Sequence, residues 1–215
     1  PHDLWCGALL GKGGQADVFA GRWEGLPVAI KKQRAGHKMT PAAKRSIEQT
    51  VRREVRALTR VRHPNVIRLF GACMEPTPCI VMAHARGGSL EEALREGRFV
   101  SVPDMVTLLA GIARGMEAVH AHKVIHLDLK PANVLLGPKD VPWVTDFGLS
   151  TSSNVDSLSN SSAGGRGTLY YKAPEMFAFP PHVSASADVY AYAILTVISV
   201  SFEYCARNVP CPLKP

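Results

Sequence analysis

Apolar residues recur along this chain with two periods. Between Thr40 and Arg62 the period is about 100° per residue, which predicts a helix. Ile47, Val51, Leu58 and Val61 form one stripe, with Val55 on its flank. Thr40-Pro41 supplies an N-cap and a first-turn proline. Arg45, Arg52, Arg53, Arg56 and Arg60 fall on the other side, a solvated face. Glu54 lies near the centre of the apolar stripe, whereas Glu48 lies well off it. A carboxylate in the middle of a buried face needs a partner, because an unpaired buried charge is strongly destabilising. Three more helices follow. Ser89-x-x-Glu92 reads as a capping box opening a short one, and Ser101-x-x-Asp104 opens a longer one. In the longer helix Met105, Leu108, Leu109, Ile112, Met116 and Val119 form a core stripe. Asp188-Val189-Tyr190 opens an apolar helix expected to end near Val200, followed by an irregular tail over 201–215.

Short apolar runs bounded by turn residues predict strands. Leu9 to Val18 is a Gly-rich turn between two apolar segments, and Glu24-Gly25 is a hairpin turn. Val28-Ala29-Ile30-Lys31 follows, with Ala29 and Lys31 on one face. Lys31 is the candidate partner of Glu54; the alternative is a solvent-facing strand lysine. His63-Pro64-Asn65 breaks the first helix, and strands are expected over Val66–Gly71 and Cys79–Met82. The stretch Ala83 to Gly88 is an extended linker with a turn, which places a boundary between a lobe at 1–83 and a second at 84–200.

The chemistry concentrates between His126 and Gly148. His126-Leu127-Asp128-Leu129-Lys130-Pro131-Ala132-Asn133 sits between Val124-Ile125 and Val134-Leu135-Leu136, and Val141 to Val144 leads into Asp146-Phe147-Gly148. Strand–loop–strand–turn points two carboxylates, an amide and a lysine into one cleft. That set suits magnesium-assisted phosphoryl transfer, in which positioning and charge neutralisation supply most of the catalysis. In Gly11-Lys12-Gly13-Gly14-Gln15-Ala16, glycine allows backbone N–H groups to approach and cap phosphates. Ala16 stands where a third glycine would complete the pattern, and Gly14 is the other source of flexibility. Between Ser150 and Ser162 the chain is rich in Ser and Thr, which reads either as a regulated segment or as a linker.

Composition changes this picture little. The net charge of +7 and pI of about 9.3 admit an acidic partner such as a nucleic acid or an ATP-like ligand. The basic residues cluster mostly between Arg45 and Arg62, however, which favours the solvated helix face. No aromatic and basic residues interleave as single-stranded nucleic acid binding requires, so no nucleic acid partner is expected. Cys6, Cys73, Cys79, Cys205 and Cys211 show no C-x-x-C spacing, and free thiols in a reducing, cytoplasmic setting are expected. No leader and no membrane-spanning segment is expected; the apolar run from Val189 to Val200 is too short.

Together these motifs resemble the eukaryotic protein kinase domain, from about Leu9 to Leu195, with order and spacing in agreement throughout. Asp128 to Asn133 resembles the serine/threonine type. Gly21-Arg22-Trp23, His63-Pro64-Asn65-Val66 and Asp188-Val189-Tyr190 resemble the tyrosine-kinase-like group of those kinases. The resemblance implies an α+β, bilobal fold: a small antiparallel-sheet N-lobe with one helix and a mainly helical C-lobe lacking its last helices. It implies ATP and magnesium as cofactors and a protein carrying Ser or Thr as substrate. Asp128 would be the catalytic carboxylate, Lys130 would stabilise the transferred phosphoryl, and Thr168 would bridge the two. Asn133 and Asp146 would hold magnesium. Lys31 would bind phosphates and pair with Glu54. The nucleotide site would further include Leu10, Gly11, Gly13 and Gly14. Val18 and Ala29 above and Leu135 below would sandwich adenine, Met82 would guard the pocket behind, and backbone groups of Ala83 and Ala85 would meet its edge. Leu58, Leu69, Phe147 and His126 would form a structural column, and Asp188 would anchor the catalytic loop.

Three departures from the family pattern bear on activity. Leu127 replaces an arginine that pairs with a phosphorylated loop in many kinases. Ala83 replaces a frequent acidic residue. The chain after Leu195 stops resembling the family, so Glu175 is expected to lack its usual arginine and the Asp188 helix to be under-covered. The alternative to an active kinase is therefore a catalytically impaired, pseudokinase-like fragment that binds nucleotide or a partner.

Overall fold

The computed structural model describes residues 4–13, 16–34, 40–99, 101–152, 168–179 and 182–208, with side chains described as far as residue 201. Gly14, much of the Ser/Thr-rich segment and Cys211 lie outside the described residues. Strands β1 (Leu4–Lys12), β2 (Ala16–Trp23), β3 (Leu26–Gln33), β4 (Leu69–Cys73) and β5 (Cys79–Ala83) form an antiparallel sheet in the order β1-β2-β3-β5-β4. Glu24 and Gly25 both take positive φ, of 50° and 78°. That turn matches the twist of β2 and β3. Helix α1 (Pro41–Arg60) packs against this sheet; α2 (Leu90–Arg95), α3 (Val102–Ala121) and α4 (Ala185–Asn208) belong to the second, mainly helical part. Two small ribbons carry the loops between them: β6 (Val124–Ile125) with β9 (Thr151–Ser152), and β7 (Val134–Leu136) with β8 (Pro142–Val144).

Helix α1 starts where its cap predicts: the Thr40 hydroxyl oxygen accepts the Ala43 N–H at 3.2 Å, with proline in the first turn. Val51, Glu54, Ala57, Leu58 and Val61 are buried, and Ile47 and Val55 are half-buried. The helix stops at Arg60 because Val61 is extended, with ψ of 108°, on the approach to His63-Pro64. Arg45, Arg52, Arg56 and Arg60 are exposed as expected, but Arg53 is half-buried and donates to the Gly148 carbonyl at 2.9 Å. Strand β4 begins at Leu69 rather than Val66, because Val66 bridges Val144 and the Ile67 N–H bonds the Val144 carbonyl. That segment joins the two halves of the molecule instead of extending the sheet.

The capping box of α2 is complete: Ser89 accepts from the Glu92 N–H, and Glu92 accepts from the Ser89 N–H at 2.8 Å. Those hydrogen bonds hold the Glu92 carboxyl below the ordinary glutamate range. In α3 the core stripe is buried as predicted, from Met105 to Val119. Gly111 and Gly115 lie one turn apart where α3 crosses the β8 loop. A Cβ at Gly115 would meet the Asn65 carbonyl oxygen at 2.6 Å, and one at Gly111 would meet Pro142 Cγ at 2.6 Å. Asn65 itself donates to the Pro142 carbonyl and accepts from the Val144 N–H.

Helix α4 corrects the expected end near Val200 and the expected irregular start of the tail: its backbone stays helical from Ala185 to Asn208. No glycine or proline interrupts the sequence between Ala185 and Asn208. Leu195 and Ala191 are buried, while Val189, Val197 and Val200 are 61%, 63% and 46% exposed. Glu175 is bonded to a serine rather than an arginine: Ser186 donates to its carboxylate at 3.1 Å. Cys6, Cys73 and Cys79 are free thiols. Among the described residues no helix is long and apolar enough to cross a membrane.

Gly115→Ala should destabilise the chain by about 1–3 kcal/mol through overpacking, read as a lower urea midpoint at unchanged slope. An unchanged midpoint would show that α3 does not need this close approach.

Candidate active site

Period-2 alternation on β3 turns Ala29, Lys31 and Gln33 to one face, toward α1. Lys31 Nζ lies 2.9 Å from each carboxylate oxygen of Glu54 and 2.8 Å from Asp146 Oδ1. Glu54 is fully buried, so its charge is compensated only by what lies beside it. Burial works against the charged form of Lys31, but Glu54 and Asp146 outweigh it and hold the lysine pKa above its ordinary value. Burial pushes the Glu54 carboxyl up, with Lys31 opposing. Burial also acts against ionised Asp146, yet Lys31 beside it brings its pKa below the ordinary aspartate value. Lys31 therefore stays protonated and Asp146 anionic at neutral pH.

The loop after β6 presents the second group. Asp128 Oδ2 accepts from Lys130 Nζ and Asn133 Nδ2, each at 2.9 Å. Its Oδ1 accepts from the Thr168 N–H at 2.9 Å and the Thr168 hydroxyl at 3.0 Å. Lys130 also donates to the Thr168 hydroxyl at 2.6 Å. Four donors hold this carboxylate in one orientation. Asp188, in the first turn of α4, clasps the loop from behind: it accepts the N–H groups of His126 and Leu127, each at 2.8 Å, and lies 2.8 Å from His120 Nε2. Leu127 and Asp146 both take left-handed backbone, with φ of 68° and 64°. Such conformations cost about 1 kcal/mol or more for non-glycine residues and persist where surrounding contacts enforce them.

His126 is buried, bonded through Nε2 to the Thr145 carbonyl at 2.9 Å and stacked on Phe147 with ring centroids 4.7 Å apart. Phe147 in turn shares a core cluster with Leu58 and Leu69, and His126 has no free nitrogen for chemistry, since Nδ1 accepts the Asp128 N–H. Leu127 is buried with Ile125, Ala173, Met176 and Ala187.

These groups meet in a cleft of about 440 Å³ between the sheet and the loops, lined by Gly13, Val18, Ala29, Lys31, Met82 and Leu135 together with Asp128, Asn133 and Asp146. Glu54, Lys130 and Thr168 act through their bonds to these residues. Leu10 and Gly11 lie on β1 outside the lining, with Leu10 48% exposed. Ala83 and Ala85 are also outside it, and the Ala83 N–H is taken by the Arg68 carbonyl, which leaves the Ala83 carbonyl for a ligand edge. The lining adds Ala16, Gln33, Thr50, Ala132, Thr145, Gly148 and Leu149. Gln33 was legible from strand alternation with Lys31, and Thr50 from its place one turn before Glu54. Gln33 is buried with an Oε1 that accepts no hydrogen bond among the described residues.

Asn133 and Asp146 fit a magnesium ion shared with a nucleotide. Magnesium takes one or two protein oxygens and completes its shell with phosphates and water. Asn133 spends its NH₂ on Asp128, so its carbonyl oxygen is the available ligand atom. Among the described residues no cluster of His, Cys, Asp and Glu suits an all-protein metal cage.

Residues 6–209 match the protein kinase domain family, and the chain belongs to it. Within that family it is 36% identical over 187 residues to mitogen-activated protein kinase kinase kinase 13-B of Xenopus laevis, covering 86% of this chain and 18% of that protein. Mitogen-activated protein kinase kinase kinase 12 of Rattus norvegicus is also 36% identical, with 86% and 19% covered. Serine/threonine-protein kinase VIK of Arabidopsis thaliana is 34% identical over 197 residues, with 87% and 43% covered. The chain thus spans under half the length of these relatives.

Lys31→Met leaves Glu54 buried beside the Asp146 charge and should cost about 3 kcal/mol. Glu54 then rises further above its ordinary value of 4.5, so the folded chain holds a proton that the unfolded chain releases. The loss is smallest below that value and grows as pH rises. The difference in urea midpoint between wild type and variant should therefore widen from pH 5 to pH 8; an equal difference at both would contradict the pairing.

Proposed function

We propose that this chain is a catalytically competent ATP- and magnesium-dependent protein serine/threonine kinase domain. The observation that carries this reading is the convergence of Lys31, Glu54 and Asp146 with Asp128, Lys130, Thr168 and Asn133 on one cleft. A phosphoryl-transfer site works mainly by positioning and by neutralising charge on the transferred group. Glu54 holds the Lys31 ammonium at the cleft, where it meets the α- and β-phosphates. Val18, Ala29, Met82 and Leu135 provide apolar walls for adenine, with the Ala83 carbonyl and the Ala85 backbone near its edge. Leu10, Gly11, Gly13 and Gly14 would cover the phosphates from β1 and its turn. Magnesium, held by Asn133 and Asp146, would neutralise the phosphate oxygens. Asp128 aligns the acceptor hydroxyl in line with the γ-phosphorus and takes its proton. Lys130, fixed between Asp128 and Thr168, offsets charge on the group in transit.

The serine/threonine preference is supported by Lys130, two residues after Asp128, by its bond to Thr168, and by the names of the relatives. The division into two lobes falls after Ala83, where β5 ends and the chain passes toward α2. The intact hydrogen-bond network favours turnover over the non-catalytic reading. Leu127 is buried among apolar residues and carries no charge, so activity does not depend on a phosphorylated loop docking at that position.

The test is phosphate transfer from labelled ATP to a library of Ser- and Thr-containing peptides. Asp128→Asn should lower kcat by about 10²–10⁴-fold while leaving ATP affinity little changed, the range expected for loss of a positioned general base. Equal incorporation by wild type, Asp128→Asn and Asp146→Asn would overturn the assignment.

A further inference from the structure

Alternation on the five-stranded sheet sends two thiols to the face that the cleft does not use. Ala29, Lys31 and Gln33 of β3 face α1 and the cleft, so Lys32 faces away. Cys79 of β5 stands opposite Lys32, and Cys73 of β4 stands opposite Cys79. Residues directly opposed across an antiparallel pair project from the same side. The two cysteines therefore leave the sheet together, in an outer cluster with Val28, Ile30, Val81 and Phe70. Such partners have Cα atoms about 4.5 or 5.5 Å apart, according to whether they exchange backbone hydrogen bonds. Both values fall in the range of about 4.4–6.8 Å that a disulfide spans. The pair sits at the turn end of the β4–β5 hairpin, where no further rung of that ladder holds the backbone.

Their surroundings set an order of reaction. Cys73 is half-buried, whereas Cys79 is buried. Burial pushes the Cys79 thiol above its ordinary value, and the Cys73 backbone N–H beside it opposes only in part. Cys79 is thus protonated and screened from solvent at neutral pH, and Cys73 is the sulfur that an oxidant reaches first. The Cys73 thiol donates to the Glu75 carbonyl at 2.7 Å, a weak bond that is given up when the sulfur ionises. Cys6 shares this face, but β2 and β3 separate its strand from β5, and no strand pairing sets it opposite either thiol. We propose that Cys73 and Cys79 are an oxidation site that closes to a reversible disulfide, with Cys73 as the sulfur that reacts with peroxide and Cys79 as the thiol that resolves it.

Hydrogen peroxide is the oxidant. The Cys73 thiol releases its proton, and the thiolate attacks one peroxide oxygen. The O–O bond breaks, the departing hydroxide takes up that proton as water, and Cys73 is left as a sulfenic acid. The Cys79 sulfur then bonds to the Cys73 sulfur, the S–O bond breaks, and the released hydroxide takes the Cys79 proton as a second water. The two thiols lose two electrons in all, and the peroxide gains them. A resolving thiol this close stops oxidation at a stage that exchange with a free thiol reverses. The new bond ties the edge strand β4 to β5, the strand that carries Met82 into the cleft wall.

The test treats the whole reduced chain with hydrogen peroxide, blocks the remaining thiols with N-ethylmaleimide in denaturant, and reads tryptic peptides by mass spectrometry. Cleavage after Arg68 and Arg86 leaves Cys73 and Cys79 on one peptide, with Cys6 on another. That peptide should carry a maleimide on each cysteine before treatment, neither after it, and both again after dithiothreitol. In Cys79→Ala, checked for native circular dichroism, Cys73 should instead advance to the sulfinic acid. In Cys73→Ser, Cys79 should keep its maleimide at a peroxide level that links the wild type, and Cys6→Ser should link as the wild type does. Both maleimides persisting in the wild type while Cys73 of the Cys79→Ala variant is oxidised would overturn the proposal. So would a link from Cys6 to either thiol, or oxidation of Cys79 in the Cys73→Ser variant as fast as in the wild type.

Discussion

Lys31, Glu54 and Asp146 form one contact on which three parts of the chain depend. The lysine comes from β3, the glutamate from α1 and the aspartate from the turn after β8, and Nζ is within 2.9 Å of both partners. Glu54 has no access to water, so α1 can pack on the sheet only in a position that gives this carboxylate a cation. Such a pair adds little net stability, because each charge must be stripped of water. Its contribution is to select one arrangement of helix against sheet. Asp146 joins because a protonated lysine held by one carboxylate still has donors to share. A structural requirement, that a buried charge be matched, thereby sets out the group that a nucleotide phosphate would meet.

A second clasp fixes the other half of the cleft. Asp188 takes two successive backbone N–H groups of the loop before Asp128, which helps hold Leu127 in its left-handed conformation. Leu127 then drops into an apolar cluster with Ala173 and Met176, so the segment after Thr168 is tied to the Asp128 loop by packing as well as by the Thr168 bonds to Asp128 and Lys130. Gly111 and Gly115 let α3 press against Asn65 and Pro142, and this sets the height of the β7–β8 ribbon that delivers Asn133 and Asp146. Chemistry at the front of the site rests on close packing behind it.

Much of this was legible in the amino-acid order. Periodicity alone placed Glu54 on the buried stripe of α1, and only a cation could answer it. Caps located the starts of α1, α2 and α3. Where the reading failed, the deciding contact was long-range. Val66 looks like the start of a strand, yet its partner is Val144, far along the chain. Arg53 reads as a solvated residue until the Gly148 carbonyl comes within reach. The helix runs past Val200 although the apolar run ends there, because no glycine or proline lies between Val200 and Pro210. Which candidate residues line the cleft, and which stand beside it as Leu10 and Gly11 do, depends on strand bulges and register that composition does not encode.

The dependence of helix, sheet and loop on one buried charge match is tested most directly by a double-mutant cycle on Lys31→Met and Glu54→Gln, read by urea unfolding at neutral pH. If the pair selects the arrangement, the double variant should recover much of what Lys31→Met loses, with a coupling of about 1–3 kcal/mol between the two sites. Losses that add to within about 0.5 kcal/mol would mean that the two residues act independently, and would contradict the account.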